Sequence, residues 1–258
     1  MSTTTGAPNW LALTSSDPER SVDFYGELLG WTPEYTGADY GNNVNFRLDG
    51  KRVASLSGER ADRSSWGVFL HTDDIAETSL SAIANGGAEL FQTTIETAGP
   101  DNTTADPIGA MVVLLDASGA QVGGWQPGTH TGFEATRTIG APVWFELHTT
   151  NFSAAVDFYA KVFNWTISIL ADSDEFRYAA NGSEELATAG ILDLSNYPAP
   201  GTSQWLPYFG VENADAAADH IVELGGTIIE SPVDSPHGRL SQALDSTGAR
   251  FFVIQERM

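Results

Sequence analysis

The sequence predicts an α+β chain of two tandem modules, each a βαβββ unit taken twice. Three observations predict it. Pro8 to Tyr25 and Pro142 to Tyr159 share one pattern, opening Pro-x-Trp and closing Val-Asp-Phe-Tyr. Both stretches begin with the period-two alternation of a strand and continue at the spacing of an amphipathic helix. The landmarks further on also recur, Gly86-Gly87 with Gly225-Gly226 and Leu115-Asp116-x-x-Gly with Leu244-Asp245-x-x-Gly. The expected organisation is a disordered N-terminus over 1–7, a first module over 8–128, a linker over 129–140 and a second module over 141–258.

In Trp10 to Ser15, Leu11 and Leu13 alternate with Trp10, Ala12 and Thr14, so one face packs on a core. Asp17 reads as a helix N-cap and Pro18 as the first helical residue, where its missing N–H costs nothing. Val22, Tyr25, Leu28 and Leu29 form the apolar face, and Gly30 ends the helix. Strands follow at Asn45 to Leu48 and Val53 to Leu56 across the hairpin signal Asp49-Gly50. Trp66 to Thr72 is a strand and Ile75 to Ala84 a helix, and Met111 to Leu115 pairs with Gln121 to Trp125.

The second module repeats this order. Strand Trp144 to His148 and helix Ser153 to Phe163 precede strands near Phe176 to Ala179 and Ala187 to Leu192. Strand Tyr208 to Val211 and helix Ala214 to Leu224 then lead to a pair over Leu240 to Leu244 and Arg250 to Ile254. The first module is about ten residues longer between its paired glycines and its Asp-x-x-Gly turn. That insertion, within Phe91 to Gly109, reads as an irregular loop, either a lid over a cleft or a tolerated surface insertion.

A chain of 258 residues with 41% hydrophobic content can bury a sizeable core. No run approaches the roughly 18 apolar residues of a membrane span, and the N-terminus has neither a basic nor an apolar region. A cytoplasmic protein with no membrane partner is expected. The formal charge of −22 excludes a phosphate-backbone partner, so no nucleic acid is expected. The absence of cysteine rules out disulfides, thiolate metal sites and a cysteine nucleophile.

The repeated Phe-Tyr, the following Leu-Gly-Trp and Phe-Asn-Trp, the paired glycines and the Asp-x-x-Gly turns resemble the vicinal oxygen chelate superfamily, which includes glyoxalase I, bleomycin-resistance proteins and extradiol dioxygenases. With Gly124-Trp125-Gln126 and Gly238-Arg239, the chain is similar to tandem two-module glyoxalase-like proteins of actinobacteria. The resemblance implies curved mixed sheets around clefts. It also implies a divalent metal held by His, Gln or Glu on the first strand, on the strand opening the second unit and near the end of each module. Those positions fall here on Trp10 and Trp144, on Trp66 and Gly67 or Trp205 and Leu206, and on Gly123 and Phe252. None offers a lone pair to such a cation, so neither a metal nor any other cofactor is expected.

The cup-facing residues of the second module are then Trp144, Glu146 and His148, where the first has Trp10, Ala12 and Thr14. Glu146 and His148 are candidate catalytic residues, since desolvation raises a carboxyl toward the range of a general acid or base. Glu146 equally suits an ion pair with Arg177 or Arg250, and His148 a hydrogen-bonded strand-end role. His237 is a candidate mobile acid or base and Arg239 a clamp for an anionic or carbonyl oxygen. Trp10, Thr14, Trp66, Trp125, Trp144, Trp205 and Tyr208 are candidate substrate-binding residues for a flat apolar ligand, whereas Trp31 and Trp165 read as core. No GxGxxG, Walker lysine motif or GxSxG elbow is present.

The expected function is a metal-independent enzyme acting on a small aromatic or polyketide-like metabolite by acid/base chemistry, of isomerase, cyclase, lyase or hydrolytic type. The alternative is a non-catalytic small-molecule-binding or drug-sequestering resistance protein. An interaction protein with degenerate cups is a third possibility. The expected partner is a small aromatic or apolar molecule, and the chain is expected to be a monomer or homodimer.

Overall fold

Strand pairing follows the repeat. In the computed structural model, which describes residues 4–38, 41–96, 107–183, 186–197 and 201–256, the first repeat opens with β1 (Pro8–Ser15), α1 (Pro18–Leu29), β2 (Thr32–Tyr35), β3 (Val44–Leu48) and β4 (Lys51–Arg60). It continues with β5 (Ser65–His71), α2 (Ile75–Ala84), β6 (Ala88–Ile95), β7 (Gly109–Leu115) and β8 (Gln121–Pro127). The second opens with β9 (Pro142–Thr149), α3 (Phe152–Val162), β10 (Ser168–Asp172), β11 (Arg177–Ala180) and β12 (Ala189–Asp193). It closes with β13 (Gln204–Gly210), α4 (Ala214–Glu223), β14 (Thr227–Ser235), β15 (Gly238–Leu244) and β16 (Arg250–Glu256).

The sheets have the orders β2-β3-β4-β1-β5-β8-β7-β6 and β10-β11-β12-β9-β13-β16-β15-β14. Both are mixed: β1 runs parallel to β4 and β9 to β12, whereas the hairpins outside them are antiparallel. This is the predicted α+β, glyoxalase-like architecture. The edge strands β2, β6, β10 and β14 were the elements not separately read from sequence. β2 is exposed throughout and β6 nearly so, leaving no buried face to impose an alternation. Part of the expected irregular loop is therefore strand, because Phe91 to Ile95 pair in β6 with β7. Residues 97–106 of that loop lie outside the described residues.

The chain packs as two compact units, one of residues 1–10, 68–132 and 145–205, the other of residues 11–67, 133–144 and 206–258. Each takes helices from both repeats, and the recurring Phe-Tyr and Asp-x-x-Gly landmarks show how. In the first unit, Tyr159 Oη donates to Asp116 Oδ2 at 2.8 Å and accepts from Trp205 Nε1 at 2.7 Å. In the second, Tyr25 Oη donates to Asp245 Oδ2 at 2.9 Å and accepts from Trp66 Nε1 at 2.8 Å. The other oxygen of each aspartate caps its own turn, accepting from Ser118 and Ala120 or from Thr247 and Ala249. A tyrosine of one repeat is thus latched to the turn of the other.

Burial, followed by the adjacent Asp245 or Asp116 charge, pushes both phenols well above the ordinary tyrosine range. They stay protonated as the donors this geometry requires. Around them pack Trp31, stacked, and Phe46, Phe209 and Phe251, edge-on, in one unit, and Phe163, stacked, Phe158, edge-on, and Trp165, tilted, in the other.

Local details adjust several expectations. Phe24 rather than Val22 completes the buried face of α1 beside Tyr25 and Leu29, and Gly30 closes the helix at φ 73°. Asp17 occupies the N-cap position without a side-chain capping bond. Its carboxylate instead meets Arg60 at 3.3 Å. Residues 4–7, expected to fray, are tied down at Gly6: its N–H donates to the His71 carbonyl at 2.8 Å and its carbonyl accepts from Trp165 Nε1 at 2.7 Å. Among the described residues no helix is long and apolar enough to cross a membrane.

Candidate active site

Parity along the strands decides which candidate side chains share a face. On β9, Phe145 and Leu147 alternate with Glu146 and His148, and both polar residues are buried, 7% and 6% exposed. Burying a carboxylate and an imidazole is costly unless each is paired. They pair with one another, His148 Nε2 lying 2.8 Å from Glu146 Oε1. With the carboxylate ionised, Nε2 carries the proton, since a carboxylate only accepts.

The second oxygen of Glu146 has a partner that sequence reasoning missed. Tyr178 Oη on β11 donates to Oε2 at 2.6 Å. Between the two strands runs β12, where Gly190 stands opposite Glu146 on one side and Ala180 on the other. The phenol crosses β12 over that glycine: a Cβ there would come within 2.1 Å of Tyr178 Oη. A glycine in the interior of a strand is a sequence signal of close approach, and it was available. Phe176, exposed immediately before β11, lies parallel to the Tyr178 ring at 6.0 Å between centroids.

Arg177, an expected ion-pair partner of Glu146, is engaged with Asp172 at 2.8 Å and Asp193 at 3.4 Å, over the ring of Phe152. Its guanidinium pKa is raised, chiefly by the Asp172 hydrogen bond.

The remaining candidates fall into separate places. Trp10 and Trp125 both meet the imidazole of His130, at 4.3 and 5.3 Å between centroids, and Trp125 Nε1 donates to the His130 carbonyl. Thr14 is exposed and bonds to Ser65 across to β5. Trp144 is half-buried against a cluster that includes Tyr208 and Phe252, whose rings stack in parallel at 4.2 Å.

Trp66 and Trp205 belong to the tyrosine latches, on the face of β5 and β13 that packs beneath the helices. Both indoles are buried, and the three positions between Trp205 and Tyr208 put those two on opposite faces of β13. His237 is exposed at the β14–β15 turn. Arg239 is clamped by Asp215 at 2.7 Å and Asp234 at 3.4 Å, which raises its pKa and lowers that of Asp215. Its charge is already spent on these two carboxylates.

The positions that would hold a metal in this fold family do not suit one. Trp10 is packed on His130, the Trp66 and Trp205 indoles donate to phenols, Phe252 stacks on Tyr208, and a side chain at Gly123 would strike the ring of Phe69. Among the described residues no three His, Asp or Glu side chains converge as a metal-binding group.

Comparison with known proteins places this geometry. The profile of the Glyoxalase/Bleomycin resistance protein/Dioxygenase superfamily matches residues 141–252, and that of the Glyoxalase-like domain matches residues 10–115. The chain is 30% identical to the anthracycline biosynthesis protein DnrV of Streptomyces peucetius, covering 98% of this chain and 94% of that one. Among solved structures it is similar to the 2,3-dioxygenase LapB from Pseudomonas sp. KL28, with TM-score 0.66, 16% identity and coverage of 100% and 94%. It is also similar to the Mn(II)-bound glyoxalase from Novosphingobium aromaticivorans, with TM-score 0.64, 18% identity and coverage of 98% and 84%.

Proposed function

From the membership of this chain in the glyoxalase/bleomycin-resistance/dioxygenase superfamily, we propose that it is a metal-independent tailoring enzyme of secondary metabolism, acting by acid/base chemistry on a small aromatic, polyketide-like molecule. The observation that carries this reading is the buried Glu146–His148 pair on the cup face of β9, where the first repeat has Ala12 and Thr14. The first repeat builds the same strand without either group, so the scaffold itself does not require the pair. The relative DnrV, named for anthracycline biosynthesis, supports an aromatic polyketide as the substrate class.

In this reading Glu146 takes a proton from an acidic C–H or O–H of the substrate, or from the attacking water of a hydrolytic step, and returns it to the rearranged molecule or to the departing group. The reaction is redox-neutral, an isomerisation, cyclisation, lyase or hydrolytic step. His148 holds Oε1 through its Nε2–H, fixing the carboxylate and spreading the charge that changes during transfer. The test is incubation with a panel of hydroxylated polycyclic ketones, with products followed by mass spectrometry. Turnover is expected, and Glu146→Gln should lower kcat/KM by about 10²- to 10⁴-fold, the usual worth of a positioned acid or base. Unchanged turnover in Glu146→Gln would falsify the proposal.

A second reading, sequestration without chemistry, draws on the half-buried Trp144 beside the stacked Tyr208 and Phe252. Saturable quenching of tryptophan fluorescence by a ligand recovered unaltered would favour it.

A further inference from the structure

Each oxygen of Glu146 already holds a proton donor, Oε1 that of His148 and Oε2 that of Tyr178. Of the three residues, Glu146 and His148 are buried and Tyr178 is half-buried. A proton leaving Oε2 therefore meets the phenol oxygen first.

We propose that Tyr178 exchanges the proton with the substrate and relays it to Glu146, and that Gly190 is the gap that allows it to do so; the proposal rests on reading Glu146 as the acid/base. As Oη takes a proton from a phenolic O–H or an enolisable C–H of the ligand, its own O–H bond breaks and that proton passes to Oε2. The ligand is left as phenolate or enolate, Glu146 becomes a carboxylic acid, and the tyrosine is neutral before and after. The reverse transfer returns the proton.

Three features on different strands fit together for this purpose. Gly190 is not demanded by its backbone, which lies outside the left-handed region; what demands it is space, since a Cβ would stand 2.1 Å from Oη and 2.5 Å from Cζ of Tyr178. At the matching registers of the first repeat, Ala12 faces Ser55 and Ser55 faces Asn45, with Asn43 in the place of Tyr178. Carboxylate, gap and phenol are thus present together in one repeat and absent together from the other. The Phe176 ring, parallel to Tyr178 within 6° and 45% exposed, adds a flat apolar shoulder beside the hydroxyl. The ligand class that suits such a shoulder and such a relay is a planar phenol or aryl ketone.

The test uses 1,4-dihydroxyanthraquinone, whose absorption reports ionisation of its phenol, titrated with the full chain and with Glu146→Gln, Tyr178→Phe and Gly190→Ala. Near-UV circular dichroism confirms that each variant is folded. The wild type should bind the probe and ionise it at a pH where the free probe is neutral. Tyr178→Phe should keep Kd within about threefold while the rate at which the bound probe ionises after a pH jump falls about tenfold or more, since a relay sets the rate of proton transfer and not its equilibrium. Gly190→Ala should reproduce that loss with the phenol still present, and it decides the matter if Tyr178→Phe does not fold. An ionisation rate preserved in Tyr178→Phe but lost in Glu146→Gln would overturn the relay and leave the acid/base reading standing. Ionisation preserved in Glu146→Gln would overturn that reading and the relay with it. A wild type that fails to bind or ionise the probe counts against both.

Discussion

The first strands of the two repeats are the same strand on one face and different strands on the other. Leu11 and Leu13 match Phe145 and Leu147, all buried against the core. On the opposite face Trp10, Ala12 and Thr14 stand where β9 has Trp144, Glu146 and His148. The tyrosine latches belong to the conserved side of this comparison: both repeats supply a tyrosine, a tryptophan and an aspartate, and the bond lengths agree within 0.1 Å. Duplication kept what closes the fold and varied the opposite face of the first strand. Function is therefore to be sought where the repeats disagree.

The strongest way to break the comparison is to convert the second face into the first. Glu146→Ala with His148→Thr should abolish turnover of any substrate found, a loss of about 10²-fold or more in kcat/KM. Stability should change far less than activity. Removing one member of a buried pair leaves the other uncompensated, a cost that removing both avoids. Urea denaturation of the double variant beside Glu146→Ala alone would show this, with the single variant the less stable.

The conserved side makes a complementary prediction. Tyr25→Phe and Tyr159→Phe each orphan a buried carboxylate oxygen and a buried indole N–H, and each should cost about 1–3 kcal/mol or somewhat more in denaturant unfolding. The two losses should be similar. A large inequality would show that the latches are not equivalent. The pH dependence has a definite sign. Both phenols have raised pKa values in the folded state, so their contribution is fully present below the unfolded phenol pKa of about 10 and is lost as pH rises through the folded values. Alkaline unfolding should accordingly be shallower in either Phe variant than in the wild type.

Much of this was legible in the sequence. Alternation and helical spacing exposed the repeat, and Phe24-Tyr25, Phe158-Tyr159 and the Asp-x-x-Gly turns marked positions that the fold does use. Their physical meaning, a hydrogen-bonded latch between repeats, was hidden because its partners are distant in sequence: Tyr25 and Asp245 nearly span the chain.

Strand parity put Glu146 and His148 on one face, and the structure pairs them there. The same parity, applied to β13, separates Trp205 from Tyr208, which the expectation of a common lining did not. Tyr178 escaped for another reason. Its bond to Glu146 depends on the register of three strands, which no local pattern encodes, although Gly190 inside a strand was a pointer. The edge strands β2 and β6 left little trace because exposed strands carry no burial period.

The smallest effect belongs to the outer candidates of the second repeat. Arg239 is held by Asp215 and Asp234 at the surface, and His237 is exposed on the adjoining turn. If catalysis lies on β9, Arg239→Ala should leave kcat/KM within about twofold, because an exposed ion pair of this kind contributes little. Its one signature should be at acid pH. The Asp215 pKa is lowered, chiefly by the Arg239 hydrogen bond, so whatever the pair contributes is present above the ordinary carboxyl pKa and fades as pH falls through the folded value. Thermal midpoints of wild type and Arg239→Ala should therefore converge on acidification, and a kcat/KM loss of about tenfold or more would instead return the clamp to the site.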